Sequence, residues 1–84
     1  MTKNTMKPEL VSYQYLDYEA EMELHWTAPG LAGPDHLVIN ITRLGRPEHT
    51  MKVSMRYRSK EEAGEAGQKL VRHYISVVTT KPNI

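Results

Sequence analysis

Four histidines, His25, His36, His49 and His73, are the groups best placed by type to ligate a metal or move a proton near neutral pH. Their spacings match neither a helical His-x-x-x-His pair nor a finger pattern. The chain holds no cysteine, so thiolate zinc sites, iron–sulfur clusters, disulfides and cysteine nucleophiles drop out together. The expectation is no metal and no cofactor, with His25 and His36 approaching each other across a hairpin as surface groups. Glu19, Glu21 and Glu23 are the other candidates for proton chemistry. At a spacing of two they share one strand face, without the nucleophile or the contrasting environments that separate an acid from a base. There is no Gly-x-Ser-x-Gly, phosphate loop or dinucleotide fingerprint. The reading is of a protein that is not an enzyme.

Binding residues are easier to find. Residues 1–42 carry two basic against six acidic side chains, and residues 43–84 carry nine basic against four acidic, a bipolar distribution hidden by the net charge of +1. The basic half places Lys52, Arg56 and Arg58 on the outward side of one alternating segment, with Arg43 and Arg46 just before it. Such a face suits phosphates or an acidic protein surface, or neutralises the Glu19, Glu21 and Glu23 column within the fold. Tyr13 and Tyr15 form a second candidate contact, since tyrosine contributes area with a polar tip at interfaces. The function expected is a protein-binding module, an adaptor or inhibitor of the kind mobile elements such as phages encode, acting through an exposed sheet face or edge on a larger protein. The alternative is a nucleic-acid-binding domain using the basic strand, and a homodimer is the third option. Arg58-Ser59-Lys60-Glu61-Glu62-Ala63 resembles the strand-to-helix junction of integrase-arm and AP2-type sheets, which implies DNA as the ligand. The acidic strand departs from that pattern, and no aromatic interleaves the basic face to stack bases.

These residues need a frame. From Tyr18 to Thr27 apolar Tyr18, Ala20, Met22, Leu24 and Trp26 alternate with polar neighbours, a period of two that overrides the helical propensity of Glu, Ala, Met and Leu. Pro29-Gly30 and Gly33-Pro34 punctuate a loop, and residues 36–44 form a second strand rich in β-branched side chains. Gly45 to His49 make a turn before a third strand at 50–58. Ser59 with Glu62 has the form of a capping box and opens a helix over 60–78. Residues 10–15 alternate out of phase with Tyr18, so they extend the first strand through a bulge or form a separate edge strand.

The fold class is α+β: a three-stranded antiparallel meander, four-stranded if residues 10–15 stand alone, with one C-terminal helix on its apolar face. Pairing inner residues sets Trp26 near Leu37, Leu24 near Ile39 and Met22 near Ile41, over a core that also takes Val53, Met55, Leu70 and Tyr74. Eighty-four residues suit one domain, expected over 10–79 between a flexible tail at 1–9 and another at 80–84. No apolar run has the length of a membrane span, and the first ten residues lack a signal peptide's apolar stretch, so the expectation is a cytoplasmic protein with no membrane partner.

Overall fold

A computed structural model describes residues 7–80. Four strands, β1 (Glu9–Tyr15), β2 (Tyr18–His25), β3 (His36–Arg43) and β4 (Arg46–Ser54), pair antiparallel in the order β1-β2-β3-β4, and one helix, α1 (Lys60–Thr79), follows. The chain is therefore the α+β meander with four strands, and residues 10–15 belong to a separate edge strand. A two-residue turn at Leu16-Asp17, with Leu16 at φ 58°, accounts for the phase change between Tyr15 and Tyr18, because those two residues face each other across the hairpin. The proposed tails fall largely on residues 1–6 and 81–84, which lie outside the described residues.

Two boundaries differ from expectation, each for a local reason. β4 runs four residues earlier at both ends than 50–58, because Leu44 and Gly45, both at positive φ, already make the tight hairpin turn. A register shift opposite Ile41 and Thr42 absorbs Glu48, so Pro47 sits beside a bulge instead of in a separate loop. β2 ends at His25, not Thr27, because Asp35 donates its N–H to the His25 carbonyl while its carboxylate accepts from Thr27 N–H at 3.0 Å. The β2–β3 register accordingly sets Leu24 opposite Leu37, Met22 opposite Ile39 and Ala20 opposite Ile41, a slip of two from the pairing expected.

α1 begins where the capping residues require. Ser59 Oγ accepts the Glu62 N–H at 3.0 Å, and the Glu62 carboxylate reaches back to the Arg58 N–H at 2.6 Å, one residue beyond a simple capping box. Ala63, Gly67, Val71 and Ile75 lie on one line at a spacing of four and are the helix's buried residues. They press on Tyr18, Ala20, Met22 and Leu24 of β2 and Leu37, Ile39 and Ile41 of β3. Trp26, Val53, Leu70 and Tyr74, expected in the centre, are only half-buried, and Met55 is 58% exposed. The helix stripe is centred one position away from Leu70 and Tyr74, which rotates those two toward β4.

Candidate functional site

The helix takes one face of the sheet, and the register fixes what the other presents. Gln14, Glu19 and Thr42 form one row across the open face; Ser12, Glu21, Asn40 and Thr50 form the next; Leu10, Glu23, Val38 and Lys52 form a third. The first two rows are polar, and a depression of about 540 Å³ is lined by Ser12, Gln14, Glu19, Glu21, Asn40 and Thr42 among others. A side-chain network crosses it. His25 Nε2 meets Glu23 Oε1 at 3.0 Å, Asn40 Nδ2 donates to Glu23 Oε2 at 3.3 Å, and Thr50 Oγ donates to Asn40 Oδ1 at 3.0 Å. Glu23 is thus held, whereas Glu19 and Glu21 have no hydrogen-bond or ion-pair partner among the described residues.

The basic residues do not share a face. β3 lies between the acidic strand and β4, so Glu19, Glu21 and Glu23 stand opposite Thr42, Asn40 and Val38 and not opposite cations. Lys52 alone projects on the open face, beside Val38. Arg43 is on the helix side across from Tyr18; its Nε donates to Asp17 at 2.9 Å and its guanidinium lies 5.3 Å from the Tyr18 ring centre. Asp17 therefore holds the Arg43 proton more tightly than usual. Arg46 pairs with Arg43 at that hairpin end. Arg56 and Arg58 follow the end of β4, at the far end of the sheet, where Arg56 borders a hollow of about 350 Å³ with Met55, Tyr57, Glu62 and Lys69. The single basic face expected over Lys52, Arg56 and Arg58 does not form, because the strand stops at Ser54.

Tyr13 and Tyr15 also turn inward, to the helix side of β1. Their rings stack at 6.4 Å, and Tyr13 Oη accepts from Arg72 Nη1 at 3.2 Å. They are half-buried members of the core edge. His25 and His36 do pair across the β2–β3 hairpin, with Glu23 and Asp35 beside them. Among the described residues no group of three or more His, Cys, Asp or Glu is arranged to hold a metal ion, and no helix is long and apolar enough to cross a membrane. What sequence reasoning missed is the polar set Ser12, Gln14, Asn40, Thr42 and Thr50 around the glutamates. Its signal was present as the residues alternating with the apolar ones, but only the sheet order places them together. No family model matches the chain, and neither a curated protein nor a solved structure does.

Proposed function

We propose that the chain is a non-enzymatic module that docks on a larger protein through the open face of its sheet. The observation carrying this reading is the Glu19 and Glu21 pair, exposed on a face that no described element covers and without a cation partner among the described residues. Uncompensated like charges two residues apart on one face of a strand raise the energy of the free protein, and a contacting basic surface removes that cost. The surrounding hydroxyls and amides supply directional contacts, and the Glu23–Asn40–Thr50 network holds part of the face in place before any encounter. The acidic column repels phosphates, and Arg43 is already engaged by Asp17, which favours a protein over a nucleic acid as the partner.

The test compares wild type with Glu19→Lys/Glu21→Lys and with Arg56→Glu/Arg58→Glu in co-purification from the native host, followed by mass spectrometry and by hydrogen exchange on the reconstituted pair. The expected result is a partner lost with the first variant, retained with the second, and protecting Ser12, Glu21 and Asn40 amides. Binding to random-sequence DNA that falls steeply with salt and is lost with the second variant replaces this reading with the nucleic-acid one.

A further inference from the structure

The two free edges of the sheet are held differently by α1. β1 is tied to α1 by the Lys60 to Glu9 ion pair at 2.8 Å and by Arg72 to Tyr13. The first half of β4 is blunted by Arg46, Pro47 and the bulge at Glu48. Its second half, Thr50-Met51-Lys52-Val53-Ser54, is regular, pairs residue for residue with β3, and carries one charged side chain. Met55 donates its N–H to the Asp35 carbonyl, which fixes the parity of the ladder: odd residues of β4 turn their backbone groups toward β3, and Thr50, Lys52 and Ser54 turn theirs outward. Natural edges are normally shortened, bent or charged against strand addition, and this stretch is unbent and carries Lys52 as its single charge.

We infer that the Thr50–Ser54 edge pairs with the same edge of a second copy, antiparallel about a two-fold axis at Met51, joining two sheets into one of eight strands. The register follows from charge and from the bulge. An axis at Lys52 sets the two lysines directly opposite each other, which repels. An axis at Thr50 carries Lys52 into the bulged Glu48, where the ladder is broken, and an axis at Val53 carries Thr50 past the end of β4 at Ser54, whereas an axis at Met51 brings only Ser54 to the bulge. An axis at Met51 lets Thr50 and Lys52 exchange backbone hydrogen bonds with the partner's Lys52 and Thr50, so every outward group of both residues is satisfied by its symmetry mate. It also places each Lys52 in the row of the partner's Thr50, Asn40 and Glu21, bringing a cation toward the acidic column. On the helix side the half-buried Met51 meets the partner's Met51, and the strips bounded by Val53, Leu70 and Tyr74 meet at the axis. The open faces lie on the same side of the joined sheet, so the dimer presents two copies of the docking surface. The pairing itself uses the edge and stands independently of what the open face binds.

The chain has no cysteine, so Met51→Cys introduces the only thiol. At an antiparallel position without mutual hydrogen bonds the two Cα atoms approach to about 4.5 Å, within reach of a disulfide. Sedimentation of the full wild-type chain should show the mass of a dimer, and mild oxidation of Met51→Cys should cross-link it about tenfold faster than Leu44→Cys, an exposed position away from the edge. Lys52→Pro removes an outward N–H without costing a bond to β3, and should leave a folded monomer. Wild type that stays monomeric up to about 1 mM, or equal cross-linking at positions 51 and 44, overturns the inference even if Lys52→Pro does not fold. A monomer that still loses its partner with Glu19→Lys/Glu21→Lys rejects the dimer alone; a dimer indifferent to that variant rejects the open-face reading alone.

Discussion

β1 and β4 are both edge strands, yet α1 closes on one side of the sheet and leaves the other half-covered. Val11, Tyr13 and Tyr15 of β1 and Met51 and Val53 of β4 are all half-buried against the core, but β1 is bonded to the helix through Tyr13 and Arg72, whereas β4 meets it through the stack of His49 on Tyr74. The cause is dimensional. Strands repeat at about 4.8 Å and helices pack at about 10 Å, so one helix spans about two strands and four strands need more than one. Centred by Ala63, Gly67, Val71 and Ile75 over β2 and β3, α1 sends its hydrogen bonds and ion pair to β1 and meets β4 through the Tyr74 ring, stacked on His49 at 4.5 Å. In a fold this small the position of the helix stripe decides which edge is finished and which is offered.

The sharpest way to test that contrast is to truncate one side chain at the centre of the core and one on the half-covered strand. Ile75 is fully buried against the sheet, and Ile75→Ala should destabilise by about 2 to 5 kcal/mol in urea unfolding. Val53→Ala, on the half-covered strand, should cost about 1 kcal/mol, since each buried methylene contributes about 0.8 kcal/mol. Equal losses would mean that β4 is as well covered as the centre of the sheet and would remove the distinction between the edges.

The next effect acts where β4 leaves the sheet. Gly33 lies against the backbone of Tyr57 and Ser59, so a methyl group there meets main chain that cannot yield as a flexible side chain would. Gly33→Ala should destabilise by about 1 to 3 kcal/mol. Chemical shifts should move first around Pro34, Tyr57 and Ser59, the segment joined by the Tyr57 N–H to Pro34 carbonyl bond. If shifts in β1 move as much, the two sides are mechanically one unit.

Much of this frame is legible in the residues themselves. Alternation from Tyr18 and from His36 names β2 and β3, and Ser59 with Glu62 marks the start of α1 to the residue, because period and capping chemistry are local properties. Register is not local. The slip of two in the β2–β3 pairing depends on Asp35 closing the loop onto His25 and Thr27, a contact eight to ten residues long that periodicity does not encode. The basic face failed for a related reason: Lys52, Arg56 and Arg58 alternate correctly, but the chain leaves the sheet between them to reach the helix cap. The acidic column was legible as a pattern, while its lack of neutralisation depends on β3 standing between β2 and β4.

A smaller effect probes the tie at the finished edge. Tyr13→Phe keeps the ring and its stacking on Tyr15 but removes the acceptor of the Arg72 hydrogen bond. The expected loss is about 0.5 to 1.5 kcal/mol. It should vanish when Arg72→Ala is already present, which a double-mutant cycle measures directly. A loss that persists in the Arg72→Ala background would assign the closure of β1 to packing alone. The exposed Lys60–Glu9 pair should add little, and that little should fade with salt.

The last and smallest effect is confined to acid and to the β4 side. Thr27 donates to Asp35 from both hydroxyl and amide, with His36 beside it, and these contacts outweigh partial desolvation to lower the carboxyl from 3.8 to about 2. A depressed carboxyl means that between those values the unfolded chain binds the proton more readily than the folded one. The stabilisation is therefore complete above about pH 4 and is lost as pH falls toward 2. Carboxyl resonances should show Asp35 titrating near 2; a midpoint at the ordinary value would end the argument. Asp35→Asn should flatten the fall in melting temperature across that window, because the variant has no proton to take up there. The Asp35 carbonyl also holds the Met55 N–H, and its backbone N–H closes on His25, so the acid-weakened contact sits at the root of β4. Amide exchange at low pH should accordingly quicken at Asp35, Met55 and Tyr57 before it does at Val11 or Tyr13, whose strand is fastened through Arg72 and Lys60 at the other side of the sheet. Simultaneous loss of protection at both places would show that the edges open together and that the asymmetry lies only in coverage, not in stability.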